Sequence, residues 1–143
     1  MISFGPDICC DFEAATSREW LLTNGIGGFA CGTISGASTR RYHGILTSAL
    51  EPPLGRLTVI SKYEETLVVN GVRHELSANR FPGVVHPQGF RLLRSFEAGP
   101  IPTWTYSVGG LELVKTLVMV HGSNTAVCEW AISGGTGEKV QLE

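Results

Sequence analysis

Lysine is scarce in this chain, at three of 143 residues against eight arginines. No two cysteines have the C-x-x-C spacing of a structural zinc site. The 11 basic side chains do not outnumber the 13 acidic ones, and the formal net charge is −2. Such a balance supplies no cationic field of the kind that holds a nucleic-acid backbone. Long hydrophobic runs are missing too. Stretches such as Leu117-Val-Met-Val120 fall far short of the roughly 20 apolar residues a membrane-spanning helix needs. The opening residues, Met1-Ile-Ser-Phe-Gly-Pro-Asp7, have neither the basic nor the apolar segment of a secretory signal. The four cysteines Cys9, Cys10, Cys31 and Cys128 read as reduced, packed thiols. A cytoplasmic protein is therefore expected, with no membrane or nucleic-acid partner and no metal or cofactor. A zinc site built from these cysteines with His43 or His121 is the minor alternative.

Helical periodicity is almost absent as well. What the chain does have is 43% hydrophobic residues, 18 glycines and 7 prolines. That hydrophobic fraction is too large for a disordered chain, and the glycines lack the strict period of collagen. A chain of about 150 residues can bury roughly 68–70% of its unfolded surface, so residues 1–143 are expected to form one domain with a sizeable core. Short extended segments alternate with turn residues every 8–15 positions or so, which argues for an antiparallel β-sandwich. Glu19–Thr23 is a strand ended by Asn24-Gly25, and 25–36 is loop and irregular strand. Residues 42–50 and 56–62 are extended, parted by Pro52-Pro-Leu-Gly55.

A hairpin is expected where Thr66–Val69 and 72–76 flank Asn70-Gly71, because both central positions of such a two-residue turn need positive φ. His74 then lies half-buried beside Val72 and Leu76. Residues 81–89 read as a Pro/Gly-punctuated loop, followed by extended segments at 90–97, 103–108 and 111–120. A last long strand puts Ala126, Cys128, Trp130 and Ile132 on one face. Gly134-Gly-Thr-Gly137 reads as a further hairpin turn, and Lys139–Glu143 as a strand that begins without finishing. An incomplete sandwich edge of that kind exposes backbone groups and implies a longer natural chain.

One stretch is chemically dense. Thr23-Asn-Gly-Ile-Gly-Gly-Phe-Ala30 is followed by Gly32, Gly36 and Thr39-Arg-Arg-Tyr-His-Gly44. The glycines allow sharp turns and close backbone approach. Arginine forks and an aromatic ring are the groups that recognise planar hydrogen-bonding ligands and sugars. If 40–43 is extended, Arg40 and Tyr42 share one side, and Arg41 and His43 the other. The plainer reading pairs both arginines with carboxylates such as Glu64 or Glu65. Gly25-Ile-Gly-Gly-Phe-Ala30 also satisfies the dinucleotide-binding pattern. The helix that pattern requires over 30–39 is contradicted by Gly32, Thr33, Ser35, Gly36 and Ser38.

These residues resemble a known family. Arg18-Glu-Trp-Leu-Leu-Thr-Asn-Gly-Ile-Gly-Gly-Phe-Ala30, Thr39-Arg-Arg-Tyr-His-Gly-Ile-Leu46, Pro52-Pro-Leu-Gly-Arg56 and Ser61-Lys-Tyr-Glu-Glu65 look like the N-terminal domain of bacterial and archaeal glycogen debranching enzymes. The resemblance continues more weakly through Pro87-Gln-Gly-Phe90 to the end. It implies a supersandwich-like all-β domain placed before an (α/α)6 toroid that carries amylo-α-1,6-glucosidase activity. The partners it implies are that toroid and, through the whole enzyme, α-glucans such as glycogen and maltooligosaccharides.

Glycoside hydrolysis ordinarily needs two carboxyl groups facing one bond. Glu64 and Glu65 are adjacent, so on an extended chain they point apart; the resemblance implies that the acid and base belong to the toroid and that this chain alone is inactive. The residues expected to dock on the catalytic domain or to contact sugar are Asn24, Gly25, Gly27, Gly28, Thr39, Arg40, Arg41, Tyr42 and His43. Trp20, Trp104 and Trp130 are expected in the core. The rival reading is a stand-alone carbohydrate-binding or structural β-sandwich module.

Overall fold

The structure is a computed structural model that describes residues 2–143. It is an all-β domain whose sheets are all antiparallel and do not close into a barrel. The largest sheet has five strands: β1 (Ile2–Phe4), β10 (Leu93–Ala98), β11 (Thr103–Val108), β12 (Leu111–Met119) and β13 (Ala126–Gly134), in that order. A four-stranded sheet runs β2 (Glu19–Thr23), β3 (Phe29–Thr33), β4 (Gly44–Glu51) and β5 (Leu54–Ile60). A third has β14 (Val140–Leu142), β6 (Thr66–Val69) and β7 (Val72–Glu75). The strands β8 (Ala78–Phe81) and β9 (Val84–Gln88) pair with each other.

Alternation along β11 decides how the layers meet. Trp104, Tyr106 and Val108 are buried, while Thr103, Thr105 and Ser107 are only partly covered. This buried face packs on Trp20, Ala30 and Ile45 of the four-stranded sheet and on Leu67 and Val69 of β6, forming one continuous core. At its centre the Trp20 and Trp104 rings meet edge-to-face, 5.3 Å between centroids at 84°. That geometry is favoured by the aromatic quadrupole. The Trp20 Nε1–H donates to the Thr33 carbonyl and the Trp104 Nε1–H to the Ile34 carbonyl, both at 3.2 Å. Two tryptophans from facing sheets are thus anchored on consecutive residues of one turn. Trp130 lies on the half-buried face of β13 beside Tyr106.

The Asn-Gly hairpin is as expected, with Asn70 at φ 50° and Gly71 at φ 82°. His74 is half-buried in it. Other expectations are corrected. Residues 81–89 are not a loop: Pro82-Gly83 turns β8 into β9, and a 3₁₀ turn over Gly89–Leu92 follows. The turn at 134–137 does not fold β14 back on β13. The chain crosses instead to pair with β6, Val140 opposite Val69. Ile132 is exposed although Ala126, Cys128 and Trp130 on the same face are half-buried. Only Pro52-Pro53 separates β4 from β5, since Leu54 and Gly55 already belong to the strand.

Two short helices, α1 (Pro6–Cys9) and α2 (Phe12–Thr16), were not legible because neither spans two turns. Their ends carry ordinary signals all the same. Pro6 opens α1, and the Asp11 carboxylate accepts the Ala14 amide at 2.7 Å to cap α2.

Trp104→Ala should destabilise the domain by about 3–5 kcal/mol, the usual cost of emptying a large aromatic site. Trp104→Phe should cost less but still forfeit the bond to Ile34. Urea titration followed by far-UV circular dichroism checks both.

Candidate functional site

The dense segment folds into two adjoining structures on the four-stranded sheet. The first is the loop between β2 and β3. Asn24 is fully buried and engaged at both ends of its amide. Its Oδ1 accepts the amides of Ile26 at 3.1 Å and Gly28 at 2.9 Å. Its Nδ2 donates to the Ser123 carbonyl at 2.9 Å and to Asn124 Oδ1 at 3.2 Å. Asn124 in turn brackets Ala49 of β4, accepting its amide at 3.1 Å and donating to its carbonyl at 2.8 Å. The loop is therefore tied to the β12–β13 turn and to β4 by the two side-chain amides, and the Gly122 amide adds a backbone bond by donating to the Asn24 carbonyl at 2.7 Å.

The glycines of this loop are close-approach positions. A Cβ on Gly27 would stand 2.6 Å from the Pro53 carbonyl oxygen, and one on Gly28 2.5 Å from Asn24 Nδ2. Gly25 faces the His121 ring just as tightly. Arg56 of β5 closes the arrangement, its Nε donating to the Gly27 carbonyl at 2.9 Å.

The second structure is residues 39–43, which form a turn rather than the expected extended segment. The His43 amide donates to the Arg40 carbonyl at 3.1 Å. In a turn neighbours need not alternate, and Arg40, Tyr42 and His43 converge on one carboxylate, that of Glu19 at the start of β2. Arg40 Nε donates to Glu19 Oε1, the Tyr42 hydroxyl donates to Oε2 at 3.4 Å, and His43 Nε2 stands 3.2 Å from Oε1. The arginine's carboxylate is thus Glu19, not Glu64 or Glu65, which are taken by Lys62 and Lys115. Arg41 is exposed and has no ion-pair partner among the described residues.

His43 is buried, and its Nδ1 accepts the amides of Thr39 at 3.1 Å and Arg40 at 3.4 Å. That bonding requires a bare Nδ1 and places the ring proton on Nε2, aimed at Glu19. The Arg40 hydrogen bond, outweighing the carboxylate's partial burial, holds Glu19 below the usual carboxylate range, with His43 adding to it.

Between the two structures lies an open cleft of about 660 Å³, lined by Glu19, Leu21, Phe29, Tyr42 and Arg56 and floored by the loop glycines. Its lining is mainly apolar, and Leu21 and Tyr42 remain 65% and 48% exposed. The nine expected residues divide by role. Gly25, Gly27, Gly28 and Tyr42 line the cleft, and Asn24 and His43 brace it from buried positions, while Thr39, Arg40 and Arg41 are exposed beside it and do not line it. Glu19, Asn124 and Arg56 were not foreseen as parts of it. Glu19 stood in the recognised motif, but its turn partners were masked by the assumption of an extended segment. Asn124 lies 100 residues from Asn24, and no local pattern connects them.

Residues 30–39 contain the end of β3 and a loop, not a helix, so the dinucleotide reading fails. No three His, Cys, Asp or Glu side chains are grouped to hold a metal among the described residues. Residues 18–143 match the protein family described as glycogen debranching enzyme N terminal. The chain belongs to that family. No curated protein and no solved structure matches it. The match begins at Arg18, so the first family residues include Glu19 and Trp20. The debranching-enzyme motif is thus the scaffold of the cleft together with the tryptophan beneath it.

Two outcomes follow from this geometry. Asn24→Ala leaves two loop amides without their acceptor and should cost about 3 kcal/mol, read by urea titration. For Glu19, a lowered folded pKa means stabilisation that is full above the ordinary carboxylate range. It is lost as pH falls through that range and the lower folded value. The protection of the Thr39 and Arg40 amides, taken relative to their intrinsic exchange rate at each pH, should fall over that window, and Glu19→Gln should flatten the step.

Proposed function

We propose that this domain is the non-catalytic flank of an enzyme that hydrolyses the α-1,6 branch linkages of α-glucans, and that the cleft is its docking face for the helical catalytic domain. The observation that carries this reading is the cleft itself. It gathers the family's motif residues on one mainly apolar surface, and its one carboxylate, Glu19, is bound by Arg40 and His43. A pair of opposed carboxyl groups is what the hydrolysis needs, and none is offered there. Glu64 and Glu65 point apart: Glu64 accepts from Ser77 and Asn79 near the surface, and Glu65 meets Lys115 in the interior.

Next to the cleft, the edge strand β5 carries exposed Leu54, Leu57 and Val59. Apolar surface of this extent on an edge strand is a liability unless something covers it. A neighbouring domain of the same enzyme satisfies that need. Tyr42 and Arg40 at the rim offer a ring and a guanidinium fork, the groups that bind sugar hydroxyls, so glucan contact at this rim is the second reading.

The test is titration of the chain against a separately produced helical catalytic domain of a debranching enzyme. Leu21→Asp should weaken docking at least tenfold, about 1.4 kcal/mol, with unfolding midpoint unchanged. Absence of binding by the parent chain would sink the docking reading. Maltooligosaccharide binding that disappears in Tyr42→Ala would favour the second.

A further inference from the structure

Behind the cleft, a narrow crevice of about 50 Å³ runs inward between the sheets from a mouth at the exposed residues Gly36, Ser38 and Ser61. It lies under the Trp20–Trp104 contact and is lined by Lys62, Glu65, Ser77, Tyr106 and Lys115 as well as by apolar side chains. Most of the polar groups along it already have protein partners. Lys115 Nζ meets Glu65 Oε1 at 2.5 Å, with both side chains about seven-eighths covered. The same ammonium stands 4.9 Å from the Trp130 ring centroid and 5.7 Å from those of Tyr63 and Trp104. Lys62 Nζ donates to the Ala78 carbonyl at 2.7 Å and to Asn79 Oδ1 at 2.8 Å, and Ser77 donates to Glu64.

Tyr106 is different. It is 6% exposed, and its hydroxyl has no hydrogen-bond partner among the described residues. No side-chain nitrogen or oxygen that is fully sealed lacks a partner, so the Tyr106 hydroxyl opens onto free space. Tyr106 is one of the residues that line the crevice. Burial holds the phenol protonated far above its ordinary range, with Glu65 reinforcing the effect, so the group remains a donor at any physiological pH.

A buried hydroxyl without a partner costs roughly 1–3 kcal/mol. A polar cavity is relieved of that cost by water once it offers about 10–15 Å³ per molecule and two to four polar neighbours. The crevice meets both conditions and has room for roughly three to five waters on that scale. A purely apolar cavity of the same size would stay dry.

We propose that this crevice is a permanent binding site for a small cluster of water molecules, which the Tyr106 hydroxyl and the Lys115–Glu65 pair hold as an integral part of the core. The ligand is neutral and hydroxylic because the charges along the walls are already matched. The water also explains how a lysine and a glutamate are kept between the sheets, since hydration of their remaining donors and acceptors lowers the desolvation cost of the pair.

The test is a crystal structure of the chain at a resolution that shows ordered water, together with Tyr106→Phe. Density is expected in the crevice with one water about 2.6–3.2 Å from the Tyr106 hydroxyl. The phenylalanine variant keeps the ring and its packing, so it should fold. Its folding equilibrium constant should fall several-fold, because one water loses its donor. A crevice without ordered density overturns the proposal. So does a Tyr106→Phe variant as stable as the parent or more so, which is the result a dry crevice gives when an unpaired hydroxyl is deleted.

Discussion

The perpendicular contact of Trp20 with Trp104 is the constraint to which the other features are attached. It joins the four-stranded sheet to the five-stranded one, and both indole N–H groups end on the backbone of Thr33 and Ile34. The turn after β3 is therefore held by the core itself. The segment leaving that turn is the one that carries Thr39 to His43. Glu19 precedes Trp20 in the same strand and, by alternation, points the opposite way. Burying the indole obliges the carboxylate to face outward, where the 39–43 turn meets it. The position of the site thus follows from the packing beneath it.

Polar side chains are used differently on the two faces of this sheet. Outside, Glu19 gathers an arginine, a tyrosine and a histidine into a rigid cluster whose outer members remain wet. At one edge, Asn24 and Asn124 act as backbone substitutes, completing hydrogen bonds that no strand supplies. Inside, Lys115 and Glu65 link β12 to the segment that leads into β6. Each arrangement satisfies the rule that a buried polar group must be paired, and each ties together elements that share no strand pairing.

Alternation and turn chemistry made much of the fold legible. The Asn70-Gly71 hairpin, the buried face of β11 and the end of β2 at Asn24 all follow from local rules that the chain obeys. The failures are local rules that tertiary contacts override. Pro82-Gly83 looks like the middle of a loop but serves as a hairpin turn, because β8 and β9 need only four and five residues each. Gly134 to Gly137 looks like a hairpin turn, yet β14 finds its partner in β6. The residues of the cleft were nearly all present in one conspicuous motif. Their arrangement was not, since an assumed strand at 40–43 separates side chains that the actual turn unites. Asn124 carries no signal at all, for its meaning exists only once the distant loop is in place.

That last dependence has a bearing on how the protein comes into being. Asn24 is satisfied by residues about 100 positions later in the chain, and β1 pairs with β10 over a comparable span. Chains emerge from the ribosome at about 5–20 residues per second. The β2–β3 loop must therefore wait several seconds for its partners, with the tryptophan face uncovered. Non-local pairing of this kind slows folding and leaves the nascent chain open to premature association. The conspicuous motif is synthesised about 100 residues ahead of the partners that secure it.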